Sequence, residues 1–309
     1  MDPDWRADLR LDPFPLGCMP TVRANGIDLC YDVHGHGQPM LMVMGINTQL
    51  IHWPPELIEQ LTNAGFQTIV FDNRDMGQST WFNGEQAPTM RTLVSRRLVG
   101  ASIPTPYTLD DMARDGFGLL TALGIDRAHV VGVSMGGMIA QHMAILEPAR
   151  VRSLTSIMAH VGARLHYIVD PRSLYALLGS TPTTPDEAGD RVVKLMKAIG
   201  SPEFLRPDEE YHLLGATAFR RGVNPAGFRR QLAAIVASGD RTSALSKLTV
   251  PCAVIHGTAD PLVPVMGGRH TAAAIPGAEL VLIEGMGHDL PVPKMPQIVD
   301  AIRRVAGSP

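Results

Sequence analysis

Only three of the 309 residues are cysteine, and no two of them form a C-x-x-C pair. Cys18, Cys30 and Cys252 therefore supply neither a disulfide framework nor a zinc-ribbon spacing. Aromatic residues are scarce at 5%, and basic residues do not outnumber acidic ones: 27 Lys and Arg face 30 Asp and Glu, a net charge of −3. With no basic face, neither nucleic acid nor a membrane surface is expected as a partner. No stretch approaches the roughly 18 uninterrupted apolar residues of a membrane-spanning helix. The opening MDPDWRADLRLDPFPLG is acidic and proline-containing, unlike a secretory signal. An odd number of thiols without such a signal predicts a cytoplasmic protein with buried, idle cysteines.

What the chain has in quantity is apolar residues, 45% of the total, together with 30 glycines and 25 prolines. That suffices for a sizeable core in one or two units. Asn25-Gly26 between two short alternating runs predicts a hairpin of Thr21–Ala24 and Ile27–Val33. Apolar runs then alternate with helical patterns. Strands are expected over Met40–Met44, Gln67–Phe71, Ala128–Val133, Val151–Met158, Cys252–His256 and Glu279–Ile283. Helices are expected over Pro55–Ala64, Thr108–Leu123 (with Thr108 and Asp111 as a capping box), Met135–Leu146, Pro264–Ala274 and Gln297–Val305. Buried strands separated by helices imply an α/β fold: a mostly parallel sheet covered on both faces.

The interval 159–239 breaks the alternation. Helical patterns at Asp186–Ile199, Asp208–Arg221 and Pro225–Ala237 are separated by proline-rich turns such as STPTTPDE, with no strong strand. This predicts a helical lid (159–239) inserted between two sheet strands of a core made of 1–158 and 240–309. The proline-punctuated stretch Asn83–Pro106 is expected over the same edge of the sheet. A helical lid is also a surface on which two copies can pair, so a homodimer is one expectation.

Gly132-Val133-Ser134-Met135-Gly136 fits G-x-S-x-G. Alone, the pattern is expected about 0.1 times by chance in a chain this rich in glycine. Its context is more specific: Ser134 falls between the strand AHVVGV and the helix MGGMIAQHMAIL, as a nucleophile elbow requires. A serine hydroxyl needs a base to take its proton. His288, in the glycine-rich loop after ELVLIEG, is the candidate base, and Asp260, after CAVIHG, is the acid that fixes the imidazole. Asp289, beside the histidine, is a rival acid. The order Ser…Asp…His, with each residue at the end of a strand, predicts a catalytic triad at the sheet's C-terminal edge. Backbone N–H groups of Met135 and of Ile46, in the loop after the first buried strand, are the expected oxyanion donors.

MGINTQLIHWP, FDNRDMGQST, YTLDDMARD and GVSMGGMIAQ resemble segments of the α/β-hydrolase superfamily, in the branch of aclacinomycin methylesterase-like enzymes and bacterial carboxylesterases. Matching pieces run from about residue 20 to the end, least within the lid. The resemblance implies the α/β-hydrolase fold and carboxyl-ester hydrolysis through a serine acyl-enzyme, without a cofactor. A small-molecule ester or lactone is the implied partner, such as a bulky polyketide or macrolide. Many relatives carry His-Gly before the oxyanion residue, where this chain has Met44-Gly45. A C–C bond hydrolase or perhydrolase using the same triad, or a non-catalytic binding protein of this fold, is the alternative.

Gln49, His52 and Trp53 follow the oxyanion loop and are candidates for the substrate pocket. His256 reads as a packed or hydrogen-bonded histidine. His34 and His36 lack further ligands at useful spacing, so no metal site is expected. Asp72, Arg74 and Asp75 read as organisers of the turn after a strand, through local hydrogen bonds.

Overall fold

The computed structural model describes residues 19–163 and 170–307; Cys18 lies outside the described residues. Asn25 and Gly26 both take positive φ (46° and 79°), as a two-residue hairpin turn demands. They join β1 (Thr21–Ala24) to β2 (Ile27–His34). The remaining strands are β3 (Gln38–Val43), β4 (Phe66–Phe71), β5 (Ala128–Val133), β6 (Val151–Ile157), β7 (Cys252–Gly257) and β8 (Glu279–Ile283). They form one sheet in the order β1-β2-β4-β3-β5-β6-β7-β8. The hairpin is antiparallel to itself and to β4, and every pair from β4 to β8 is parallel.

The helices are α1 (Pro55–Asn63), α2 (Met90–Val99), α3 (Leu109–Ala122), α4 (Met135–Leu146), α5 (Pro171–Leu178), α6 (Pro185–Ile199), α7 (Asp208–Arg221), α8 (Pro225–Ser238), α9 (Thr242–Leu245), α10 (Met266–Ala274) and α11 (Met295–Ala306). The helices α5–α9 lie between β6 and β7, the predicted place for the insertion. Thr108 and Asp111 form the predicted capping box at the start of α3.

Strand periodicity divides the core in two. In β3, Leu41 and Val43 join Val130, Leu154 and Val254 beneath α3, α4 and α10. Met40 and Met42 point the other way, joining Val131, Ile157 and Ile255 beneath α1 and α11. All four β3 side chains are fully buried, each stabilising the fold by about 1.5–3 kcal/mol. Cys30 and Cys252 are buried and unpaired, and burial pushes each thiol up to about 12.

Three helices, α2, α5 and the four-residue α9, have no counterpart in the sequence reading. Within 83–106, α2 starts at a Thr89 cap and ends at Gly100 in the left-handed conformation. It buries only Leu93, so no apolar stripe marks it. It packs against α8. The short α5 is started by Asp170, whose side chain accepts from the Ser173 N–H.

The turn after β4 also departs from a purely local reading. Asp72 does accept from nearby Gln78 N–H, and Asp75 from Phe82 N–H. Their strongest partners come from far along the chain. Arg221 of α7 meets Asp72 at 2.7 Å, and Arg230 of α8 holds Asp75 through two 2.7 Å bonds. Arg74 pairs with Asp115 of α3 at 2.6 Å. The helical insertion is therefore tied to the sheet by buried ion pairs.

Candidate active site

Ser134 stands between β5 and α4 at φ 55°, ψ −121°, a conformation that costs a non-glycine residue about 1–3 kcal/mol and persists only where the surroundings enforce it. The enforcement is steric. A Cβ on Gly132 would lie 2.1 Å from Gly136 O, and one on Gly136 would lie 2.0 Å from Val43 O. Both flanking glycines are thus required by backbone contact. The Ser134 N–H donates to Ile157 O at 2.8 Å. Its side chain makes no capping bond to α4, so the hydroxyl is not consumed in ending the helix.

His288 follows β8, and its Nδ1 lies 2.7 Å from Asp260 Oδ2. The other oxygen of Asp260 accepts from the N–H groups of Leu262 (2.9 Å) and Val263 (2.8 Å). The carboxylate is buried and held on both oxygens. A carboxylate only accepts, so this contact puts the proton on Nδ1 and leaves Nε2 free to accept. Asp289 turns away from the ring toward Ser201, at the end of α6. Burial pushes its carboxyl up, while the Ser201 hydrogen bonds pull it back. His256 is buried with Nε2 2.8 Å from Val263 O, the packed and hydrogen-bonded position its sequence suggested.

The loop after β3 lies against the serine: a Cβ on Gly45 would come within 3.3 Å of Ser134 Cβ. Its carbonyls are held from behind. Asn73 Nδ2 donates to Met44 O (2.9 Å), and Thr48 Oγ1 donates to Gly45 O (2.8 Å). Asn47, at φ 57°, donates its N–H to Gln231 Oε1 of α8. Among the described residues, the N–H groups of Ile46 and Met135 have no protein acceptor. These side chains fix the loop with methionine at position 44.

Ser134, Ile46 and His288 line one cavity of about 340 Å³ between the C-terminal ends of the strands and α5–α8. Its walls are mainly apolar, with Met76, Leu195, Met196, Phe204, Leu214 and Phe228 among them. Gln49, His52 and Trp53 line it too. The Gln49 amide is fully engaged with α7, donating to Ala218 O and Gly222 O and accepting from Arg221. Burial lowers His52 to about 4, leaving it neutral near pH 7. Trp53 is fully buried, and its Nε1–H has no partner among the described residues. No residue of 83–106 lines the cavity.

A strained serine on a strand–helix turn, a histidine oriented by a buried acid and an apolar cavity over a parallel sheet's C-terminal edge define a class of protein, the α/β-hydrolases. The family pattern described as alpha/beta hydrolase fold matches residues 38–185. Over 276 residues the chain is 30% identical to rhodomycin D methylesterase DauP of Streptomyces sp. (strain C5), covering 82% of this chain and 86% of that protein. It is 29% identical over 300 residues to rhodomycin D methylesterase DnrP of Streptomyces peucetius, covering 89% and 94%. The solved meta-cleavage product hydrolase CumD of Pseudomonas fluorescens IP01 superposes with a TM-score of 0.71 at 21% identity, covering 93% of this chain and 96% of that one. The chain belongs to the α/β-hydrolase fold family and is a serine hydrolase. Among the described residues, no helix is long and apolar enough to cross a membrane.

The sequence reading missed the insertion's contribution to this site: Gln231 and Arg221, which hold Asn47 and Gln49 of the loop after β3, and Ser201 behind the histidine. The helical pattern in the sequence ends at Ile199, but nothing local marked what Ser201 would touch.

Proposed function

We propose that Ser134, His288 and Asp260 form the triad of a carboxylic-ester hydrolase acting on a bulky, largely apolar ester or lactone. The observation that carries this reading is the 2.7 Å contact from His288 to Asp260 beside an apolar cavity that Ser134 and His288 share. His288 Nε2 takes the Ser134 proton as the hydroxyl oxygen attacks the ester carbonyl. The N–H groups of Ile46 and Met135 receive the oxyanion. His288 then protonates the leaving alcohol, and in the second half activates water to release the acid.

The substrate class rests on two supports. The cavity is mainly apolar and, at about 340 Å³, within the size range of sites for drug-sized ligands. The rhodomycin D methylesterases are similar along most of their length. Residues 159–239 act as the lid and 1–158 with 240–309 as the core. Buried thiols agree with a cytoplasmic setting.

Methyl esters of polycyclic polyketides, macrocyclic lactones and a p-nitrophenyl ester series, followed by mass spectrometry for the gain of one water, test the reading. Preferred turnover of a bulky member supports it. Hydrolysis confined to short acyl esters contradicts the substrate class. Turnover of ring-cleavage dienones with no ester turnover contradicts ester hydrolysis itself.

A further inference from the structure

Behind the catalytic histidine, the end of α6 and the loop 287–289 are joined by a closed set of hydrogen bonds. The His288 backbone N–H donates to Ile199 O, in the last turn of α6, at 2.7 Å. Ser201 N–H donates to Asp289 Oδ1 at 3.0 Å, and Gly287 N–H donates to Ser201 Oγ at 2.8 Å. Ser201 Oγ–H completes the set by donating to the same oxygen of Asp289. The residues immediately before, at and after the base are thus all held by two residues of the helical insertion, Ile199 and Ser201.

The set has a fixed direction. An ionised carboxylate can only accept, so the Ser201 hydroxyl proton must point to Asp289. Its lone pairs are then presented to the Gly287 N–H. The two backbones are also pressed together: a Cβ on Gly287 would lie 2.4 Å from Gly200 C and O and 2.7 Å from Ile199 O. Ser201 is fully buried, so water does not compete for these bonds. The same helix contributes Val192, Leu195, Met196 and Ile199 to the cavity wall. One helix thereby touches the space for substrate and the backbone of the base.

We infer that Ser201 and Asp289 form a positioning clasp that sets the His288 backbone from the wall of the substrate cavity, so that a substrate seated against α6 reinforces the alignment of the base. This rests on the triad reading above. Asp260 fixes the ring tautomer, whereas the clasp fixes where the loop carries the ring. Asp289, which adjoins the base in sequence, has a role separate from the acid of the triad. A displacement of a reacting group by about 1 Å costs on the order of 10²-fold in rate.

The test uses the full chain with Ser201→Ala, Asp289→Ala, Asp289→Asn and the double alanine variant. Ser134→Ala and His288→Ala serve as controls. Four quantities are read: kcat and KM for the best ester, the rate of fluorophosphonate labelling, and Tm. The clasp predicts that Ser201→Ala and Asp289→Ala lower kcat and the labelling rate by roughly 10- to 100-fold with little change in KM. The double variant is little worse than either single one, because both break the same unit. Asp289→Asn, whose amide oxygen still accepts both Ser201 donors, loses less than Asp289→Ala. If Asp289→Ala is insoluble, Ser201→Ala and Asp289→Asn carry the comparison. Parental kcat and labelling in Ser201→Ala and Asp289→Ala, with Tm alone reduced, would overturn the clasp as a positioning device while leaving the triad standing. Retained turnover in Ser134→Ala or His288→Ala would overturn the triad reading and the clasp with it.

Discussion

Arg230→Ala is expected to be among the most damaging single changes outside the triad, and its size follows from the partners it strands. Asp75 is fully buried. Its Oδ1 accepts from Arg230 Nη2, Phe82 N–H and Asn224 Nδ2, and its Oδ2 accepts from Arg230 Nε and Tyr107 O–H. Truncating the arginine leaves a buried carboxylate with neutral donors only. Breaking one side of a buried pair costs about 3–5 kcal/mol. With an unfolding entropy of about 2.1 cal/mol/K per residue, the 309-residue chain has about 0.65 kcal/mol/K, so Tm falls by about 5–8 °C. Asp75→Asn combined with Arg230→Met removes both charges and should recover at least half of that loss. Scanning calorimetry on the three proteins measures both effects. A fall of less than 2 °C in Arg230→Ala, or a double variant as unstable as the single, would refute the reasoning.

Gly136→Ala should yield little folded protein, because its methyl group would sit 2.0 Å from Val43 O and backbone cannot yield there; soluble expression checks it. Leu195→Trp, which fills the cavity wall on α6, should cut turnover of bulky esters tenfold or more while sparing acetate esters, read as paired kcat/KM values. His129 is lowered to about 4 by burial, with Arg152 adding to the effect. Between about pH 6.5 and pH 4 the unfolded state therefore binds a proton that the folded state refuses, and this group's contribution falls as pH falls, by at most about 1.4 kcal/mol per pH unit. His129→Gln should flatten the decline of Tm between pH 6.5 and pH 5, and an unchanged slope would contradict it.

The parts of this molecule legible in the sequence are those that local patterns encode. Asn25-Gly26 specifies a turn because few other pairs accept positive φ twice in succession. The β5 and α4 boundaries, Ala128–Val133 and Met135–Leu146, could be read to the residue because a short β-branched apolar run stops at a glycine-flanked serine and a longer run of helix formers begins directly after it. Ser134, Asp260 and His288 stood out because each follows an apolar run and carries chemistry that the others require. Long-range pairing left no such trace. Arg221 and Arg230 look like ordinary helix residues, yet they meet Asp72 and Asp75 some 150 positions away. The helix α2 escaped notice because it buries a single leucine, and burial is what creates a periodic signal. Ser201 was equally silent, since one serine after a glycine says only that a helix ends.

The central claim is that Ser134 is a nucleophile activated by His288. Fluorophosphonate labelling of the purified protein, followed by peptide mapping, tests it most directly. The account predicts a single adduct on Ser134, abolished in Ser134→Ala, strongly slowed in His288→Ala, and accompanied by burst-phase turnover of p-nitrophenyl esters. A folded protein that takes no label on Ser134 and hydrolyses no ester would contradict it.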